Sequence, residues 1–496
     1  MTRRSGFVDA AASRRPVREV WTLAIPDNEF ASLMTDRKTF YEERAPDRAR
    51  ELTRHYHRLL RSYFRFFVPP NLRVLEMGCG LGDLLAAVQP AHGVGVDFSE
   101  GMIVAARARH PELRFEVADA GTFQAGGKFD YILASDLVND LPDVQQFFEQ
   151  ARGAAHPDTR LVVNCFNTLW RPVLGLAARL GWKSPTPPQN WLSLADVKDL
   201  LHLAGWEVVR TDTRILWPVR TPLLDTLFNR WLAPLLKHLC LTMFVVARPR
   251  PAPGRKALTC TVVVPARNEA GNIEAAVQRT PVMGAGTEII FVEGGSTDGT
   301  WEEIQRVVAK YPQRNIRCLK QQTTGKGGAV REAFALAQGD LLFILDADLT
   351  VAPEDLPKFY EAAASGLADF VNGVRLVYPM EQSAMPFLNM IANKFFSLAF
   401  TWLLGQPVKD TLCGTKVLSR SHYELIARNR AYFGDFDPFG DFDLLFGAAK
   451  SNLRIVDLPI RYGSRTYGST NIQRWRHGWL LLRMTLFAAR RLKFIA

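Results

Sequence analysis

Gly339-Asp340-Leu341-Leu342-Phe343-Ile344-Leu345-Asp346-Ala347-Asp348-Leu349-Thr350 is the stretch on which the reading of this chain turns. The apolar run Leu341 to Leu345 predicts a central strand, buried on both faces as in a parallel sheet. Asp346 and Asp348 follow at its carboxyl end, where open α/β sheets hold their ligands. Residues two apart on an extended backbone share a face. The two carboxylates are therefore expected side by side, unpaired by any nearby Lys or Arg. Two such acids repel unless a cation joins them. A hard divalent metal, held by one or two carboxylates and a substrate diphosphate, would do so. This points to an enzyme acting on a nucleotide-activated substrate.

Moving outward from that strand, Thr261-Val-Val-Val-Pro265-Ala-Arg267-Asn268-Glu269 reads as a β-branched strand ended by proline and polar residues. Glu288-Ile-Ile-Phe-Val-Glu293-Gly-Gly-Ser-Thr-Asp298-Gly-Thr300 is a second strand with a turn and a helix start. Thr324-Gly-Lys326-Gly-Gly-Ala-Val-Arg331 puts a lysine and small residues before a helix expected over Ala329 to Ala337. Free N–H groups and one cation there suit a phosphate. The Walker pattern GxxxxGK[ST] is absent.

These four motifs, in this order, resemble the family-two glycosyltransferases of the GT-A fold, over roughly residues 258 to 475. The resemblance implies that Pro265, Arg267, Glu269, Glu293 and Lys326 hold a nucleotide sugar. It also implies that Asp346 and Asp348 bind a divalent metal (Mg or Mn) and the diphosphate, with Asp348 catalytic and the transfer inverting. One departure stands out: the family commonly has two adjacent acids where this chain has Glu293-Gly294.

The acceptor side is carried by later segments. In Met385 to Leu404, Asn389, Asn393, Ser397 and Thr401 recur every four residues, a narrow polar stripe on an apolar helix. Such a helix is either fully buried or lies in a membrane interface. Asp410-Thr-Leu-Cys-Gly414-Thr-Lys416, Phe439-Gly-Asp441-Phe-Asp443 and Arg461-Tyr-Gly-Ser-Arg465-Thr-Tyr-Gly468-Ser469-Thr-Asn471 follow. Together they resemble the branch of that family that makes polyprenyl- or dolichyl-phosphate sugars. That implies Arg465 and Ser469 at the acceptor phosphate; Asn471 stands where the branch often has lysine. A phosphate acceptor attacks without a base. A hydroxyl acceptor, as in cell-envelope glycan synthesis, would need one, for which Asp441 is the candidate, with Asp410 and Asp443 behind it. The last helix spaces Arg476, Arg483 and Arg490 by seven, with Trp475, Trp479, Leu482 and Phe487 as apolar partners. It suits either an anionic lipid surface or a solvated basic face.

The first half has a different signature. Arg73-Val-Leu-Glu76-Met-Gly78-Cys-Gly80-Leu-Gly82-Asp83 reads as strand, glycine turn and helix start. Val94-Gly-Val-Asp97 ends a second strand with an acid suited to a ribose diol. Arg114 to Val117 leads to Asp119, and Phe129 to Ser135 leads to Asp136. The spacing is GxGxG, not the GxGxxG of dinucleotide folds. Over roughly residues 40 to 245 this resembles the class I S-adenosylmethionine-dependent methyltransferases. The resemblance implies Glu76, Gly78 and Gly80 around the methionine moiety, Asp97 on the ribose and Asp119 near the adenine. Glu76 stands where the family more often has Asp. Asp136, Asn139 and His156 are candidate substrate contacts, and a catalytically silent binding module is the alternative for either half.

A chain of 496 residues is too long for one core. The expected fold class is α/β, with two doubly wound domains: a Rossmann-like methyltransferase sheet followed by a GT-A sheet. The expected organisation is a basic leader (1–35), a first domain (36–247), a Pro-rich linker (248–257), a second domain (258–471) and a basic amphipathic helix (472–496). An amphipathic helix is expected from Glu43 to Phe67. The apolar fraction of 47% excludes wholesale disorder, and the net charge of +11 suits anionic partners. Phosphates and a lipid surface fit the motifs better than nucleic acid. Six scattered cysteines without metal-ligand spacing read as reduced thiols. No secretory signal and no spanning helix are apparent. The expected location is cytoplasmic, peripheral on the inner face of a membrane.

Overall fold

The computed structural model describes residues 37–43, 55–183, 186–252, 254, 257–375, 377, 387–432, 441–463, 465, 467 and 474–495. Within these, the side chains of 387–390, 441 and 474–477 are not described. The expected leader, 1–35, lies outside them.

The first half folds as strands β1 (Arg73–Met77), β2 (His92–Asp97), β3 (Arg114–Val117), β4 (Phe129–Ser135), β5 (Ala155–Phe166), β6 (Trp206–Arg214) and β7 (Thr242–Pro249). They form one sheet in the order β3-β2-β1-β4-β5-β7-β6. The second half contributes β8 (Thr259–Ala266), β9 (Gly286–Glu293), β10 (Asn315–Lys320), β11 (Leu341–Ile344), β12 (Phe370–Val374), β13 (Lys416–Ser419) and β14 (Ile455–Pro459). Their order is β10-β9-β8-β11-β13-β12-β14. Both sheets are mixed α/β sheets rather than purely parallel ones. β7 runs antiparallel to β5 and β6, and β13 antiparallel to β11 and β12. In each, the strand order reverses beside the first strand, between β1 and β4 and between β8 and β11. That crevice, at the carboxyl ends, is where such sheets take ligands.

Six helices matter below: α1 (His55–Phe67), α2 (Arg171–Arg179), α3 (Gly325–Leu336), α4 (Phe387–Leu404), α5 (Asp441–Lys450) and α6 (Arg474–Leu492). The helix expected from Glu43 is described only from His55, where Leu59, Leu60, Tyr63, Phe64 and Phe67 are buried at helical spacing. Helix α3 begins at Gly325, four residues before the expected Ala329, so Lys326 sits in its first turn. The expected linker also begins later. Arg248 and Pro249 belong to β7, because Arg248 has buried acceptors to satisfy it.

The two halves share a core. Leu60, Phe64 and Phe67 of α1 belong to the same buried cluster as Leu445, Ala448 and Leu481 of the second half. The seam is also polar and densely paired. Asp369 accepts from Arg160 (2.5 Å) and Arg248 (2.6 Å). Arg214 donates to the carbonyls of Lys493 (2.6 Å) and Leu492 (3.1 Å), so one half caps the last helix of the other. Arg210 lies 4.9 Å from the Phe67 ring and donates to Ala449 O.

Lys450, at the end of α5, is an energetic cost of this seam. It is buried, donates to Phe66 O and lies 4.7 Å over the Phe66 ring. Burial, with Arg210 nearby, pushes its ammonium down to about 7. The folded pKa is below the unfolded one, so the unfolded chain holds the extra proton between the two values. Stability therefore rises with pH above about 7, and the penalty is complete below it. Lys450→Met is expected to flatten that slope and raise the melting temperature at neutral pH. Thermal unfolding of both proteins across this window is the check, and an unchanged slope refutes the assignment.

Candidate functional site

The second-half site sits at the carboxyl ends of β8, β9 and β11. Apolar alternation pairs β11 with β8 from Leu341–Cys260 to Ile344–Val263, and this register places Asp346 beyond the sheet edge. The chain then turns, closed by Leu349 N to Asp346 O, with Leu349 at a φ of 51°. The two aspartates are therefore not on one extended face. They meet different cations, which corrects the expectation that neither is paired. Lys326 lies 2.6 Å from Asp346 Oδ1, and Arg465 lies 2.7 Å from Asp348 Oδ2. Both partners are distant in sequence, so no local pattern could reveal them.

Arg465 also reaches Glu269 Oε1 at 2.9 Å, and Asn272 donates to Glu269 Oε2. Burial pushes the Glu269 carboxyl up, and the neighbouring Asp348 and Asp298 reinforce this against Asn272 and Arg465. Asp346 behaves oppositely. Burial works against its charge, but Lys326, with Lys416 and Arg375 behind it, holds its pKa below the usual range. Gly414 lies against this pair. A Cβ there would fall 2.0 Å from Asp346 Oδ2 and 2.5 Å from Lys326 Nζ. Only glycine lets the backbone approach so closely.

The loop Pro265 to Glu269 is laced to the loop after β9. Asn268, at a φ of 56°, accepts from Thr297 N (2.8 Å) and donates its own N–H to Ser296 Oγ (3.0 Å). Glu293 is buried and accepts from Ser296 N. Gly294, where a second acid is common, is crowded: a Cβ would lie 3.1 Å from Gln321 Oε1. Gln321, anchored on Gly325 O at 2.7 Å, fills the space an acid would use. Gln321 was not singled out from the sequence.

Asp410, a candidate base, is surrounded by donors. It is fully buried, with bonds from Arg375 Nε (2.8 Å), Arg375 Nη2 (2.9 Å), Asn393 (3.1 Å) and Leu412 N (3.0 Å). Burial opposes its charge, but Arg375 overrides this and holds it at about 2. Asp443 is paired with Arg430 at 2.8 Å. The side chain of Asp441 and all of Ser469 lie outside the described residues. The polar stripe of α4 has the same explanation as Asp410. Asn393 binds Asp410, while Ser397 and Thr401 bind Val408 O, so the stripe holds a loop. Asn389 lies outside the described side chains. On α6 the buried face is Leu481, Met484, Ala488 and Leu492, whereas Trp479, Arg483 and Arg490 are exposed. The expected apolar partners are thus only partly inward.

In the first half a cleft is lined by Gly78, Asp97, Phe98, Asp119, Leu137 and Asp140, among others. Gly78 and Gly80 have φ of 73° and 51°. Asp97 accepts from Gly80 N (2.8 Å) and Ser99 N (3.0 Å). Glu76 is buried, and its Oε2 has no hydrogen-bond partner among the described residues. Burial pushes its carboxyl well up, helped by Asp97 and Asp83 against a backbone bond from Leu85. A buried carboxylate with one unpartnered oxygen beside a glycine turn fits the amino-acid end of S-adenosylmethionine, from whose ammonium it would accept a hydrogen bond. Residues 37–43 close one side: Arg37 donates to Asp140 Oδ1 (2.6 Å) and Pro188 O (2.7 Å), and Tyr41 bonds Asp140. No sequence signal marked them. Asp136 has a φ of 55° and accepts from Tyr56 (2.9 Å) and Asn164. Asn139 is buried and accepts from Phe166 N, while His156 pairs with Asp130 at 3.1 Å on the far edge.

Residues 261–426 match the family model for glycosyl transferase family 2, and residues 45–211 match a methyltransferase domain. The chain joins two transferase domains. Its glycosyltransferase domain is similar to the dolichol-phosphate mannosyltransferase of Pyrococcus furiosus, at 29% identity over 218 residues, 43% of this chain and 59% of that one. It is also similar to an undecaprenyl-phosphate 4-deoxy-4-formamido-L-arabinose transferase of Pseudomonas aeruginosa, at 31% identity over 35% of this chain and 51% of the relative. The chain thus spans a little over half of these relatives' length. Among solved structures, the methyltransferase domain has likenesses in S-adenosylmethionine-dependent methyltransferases of Thermotoga maritima and Mesorhizobium loti. The first has a TM-score of 0.34 at 16% identity, over 43% of this chain and 99% of that one. The second has a TM-score of 0.30 at 19% identity, over 38% and 95%.

Among the described residues no group of three or more His, Cys, Asp and Glu is placed to hold a metal ion. Asp346 and Asp348 at the β11 terminus carry hard oxygen atoms, each paired with a cation. Two carboxylates fit a divalent cation whose remaining ligands are phosphate oxygens and water. No described helix is long and apolar enough to cross a membrane.

Proposed function

We propose that the glycosyltransferase domain transfers a sugar from a nucleotide diphosphate donor to a polyprenyl phosphate at a membrane surface, with inversion. The observation that carries this reading is the double ion pair at the β11 terminus, Lys326 on Asp346 and Arg465 on Asp348. Both cations are already gathered where a diphosphate would bind, and each is held by a carboxylate it can leave. On donor binding, Lys326 turns from Asp346 to the diphosphate. Arg465, on its flexible stem between Glu269 and Asp348, turns toward the acceptor phosphate. A divalent cation, held by Asp346 and Asp348 when bound, would neutralise charge on the departing diphosphate.

The acceptor phosphate oxygen then forms a bond to the anomeric carbon as the bond from that carbon to the diphosphate oxygen breaks. The monoester is anionic near neutral pH, so this step needs no base. The saturation of Asp410 and the pairing of Asp443 agree with that. The relatives named for dolichol- and undecaprenyl-phosphate substrates support the same acceptor class. The test incubates the purified chain with labelled nucleotide sugars, Mg or Mn, and polyprenyl phosphate. Labelled lipid with wild type and none with Asp348→Ala supports the reading. No labelled lipid with any donor, or equal product from Asp348→Ala, overturns it.

For the methyltransferase domain the proposal is S-adenosylmethionine-dependent methylation, with Glu76, Gly78, Gly80, Asp97 and Asp119 around the cofactor. Glu76→Gln is expected to weaken S-adenosylmethionine binding roughly 10- to 100-fold, the value of a charged hydrogen bond. Because burial raises the Glu76 pKa, wild-type affinity should increase with pH as that carboxyl ionises. Calorimetric titration at several pH values reads both effects. An inert titration with wild type would instead make this half a silent module.

A further inference from the structure

The methyltransferase domain carries exposed apolar side chains that do not line its cleft. Helix α2 fully buries none of its side chains, and of them Leu174 packs against the core. A nine-residue helix is marginal in water without a face to pack, yet Leu176, Leu180 and Trp182 (77% exposed) stand outward. Across a short gap, the segment 219–239 does the same with Leu223 (86% exposed), Leu235 (63%) and Leu239. The two segments are stitched together: Trp170 Nε1 donates to Leu239 O at 2.9 Å, and Asn167 to His238 O at 3.0 Å.

The surface continues into the other domain. Trp402 of α4 donates to Pro234 O at 3.2 Å, and the rings of Trp402 and Trp231 both meet Phe494, just beyond α6. Helix α4 then presents Ile391, Phe395 and Leu398 to solvent, and α6 presents Trp479 and Leu486. Exposed apolar area on this scale marks an interaction face.

Its charge selects the partner. Residues 167–183 contain Arg171, Arg179 and Lys183 and no acid. Residues 216–241 contain Arg220, Arg230 and Lys237 against a single acid, Asp225. Apolar side chains interleaved with cations suit the headgroup region of an anionic bilayer, whereas a second copy would bring like charges together. We propose that this face of the methyltransferase domain docks on an anionic membrane, so that both domains sit on one bilayer. The proposal deepens the lipid-phosphate reading and rests on it only for the acceptor that the bilayer supplies.

The full chain is tested by sedimentation with phosphatidylcholine vesicles, with and without phosphatidylglycerol. Leu176→Ser, Trp182→Ser, Leu223→Ser and Leu235→Ser are combined in one variant; all four are exposed, so the melting temperature should hold. Trp479→Ser with Leu486→Ser forms a second variant on α6. The expected result is salt-sensitive binding to phosphatidylglycerol vesicles that falls roughly tenfold or more in the first variant. Transfer to a short polyprenyl phosphate dispersed in detergent should stay at the wild-type rate, which separates this proposal from the transferase reading. The proposal is overturned if wild type does not bind, or if only the α6 variant loses binding. It is equally overturned if the first variant changes the oligomeric state and leaves vesicle binding intact.

Discussion

Gly414→Ala is expected to lower the rate of glycosyl transfer on the order of 10²-fold or more, while leaving the melting temperature and S-adenosylmethionine binding near wild type. The added carbon would lie 2.0 Å from Asp346 Oδ2 and 2.5 Å from Lys326 Nζ, far inside contact distance. The backbone here is held by β13, which starts at Lys416 and pairs with β11 at Ile344. The side chains therefore yield before the strand does. Either Asp346 leaves the end of β11 or Lys326 leaves the first turn of α3, and both shifts move charge away from the diphosphate. A displacement of about 1 Å in a positioned group is enough for a loss of this size. The check is labelled lipid formed per minute with donor saturating. A near-normal rate would show that the Asp346–Lys326 pair does not serve the donor, and Cys413→Ala next to it controls for general disturbance.

Asp369→Ala is expected to destabilise the folded chain by about 3–5 kcal/mol and to uncouple the two domains. Asp369 is shared by Arg160 and Arg248, and it also accepts from Arg454 N at 2.8 Å. Its removal takes the carboxylate from the buried Arg160 guanidinium and leaves Arg248 on Glu207, and a buried charge without its partner costs more than the pair ever contributed. Burial alone would raise the Asp369 pKa, but Arg160, with His422 and Arg248, holds it low. The sign follows: a carboxyl with a depressed folded pKa stabilises above its unfolded value near 3.8 and loses that contribution as pH falls through the folded one. Wild type should therefore loosen at the seam in acid. Differential scanning calorimetry should show one broad transition for wild type splitting into two for Asp369→Ala. A single unshifted transition would mean that the shared apolar core alone couples the halves.

The sheet architecture was legible from local pattern. The runs Val262–Val264, Ile289–Val292 and Leu341–Leu345 are apolar, bounded by turn residues, and become the buried strands the pattern requires. Gly78 and the acids at Asp97 and Asp119 likewise fall at strand ends around one cleft. What misled was the assumption of continued extension. Asp346 and Asp348 share a face only if the strand runs on, and the turn closed by Leu349 N breaks that. The α4 stripe was only partly legible for a related reason. A polar row on an apolar helix marks a polar contact but not with whom, and here the contact is the loop at Val408 and Asp410.

Taken alone, the sequence determined two α/β sheets and the order of their motifs. These follow from nearest-neighbour facts: side-chain periodicity, turn residues and acids at strand ends. Tertiary structure decided which charges meet and which remain for ligands. Lys326 finds Asp346, Arg465 finds Asp348 across more than a hundred residues, Arg375 silences Asp410, and Gln321 takes the space beside Gly294. It also decided that the halves share one core. Burial and pairing depend on distances in space, which the order of residues along a chain does not contain.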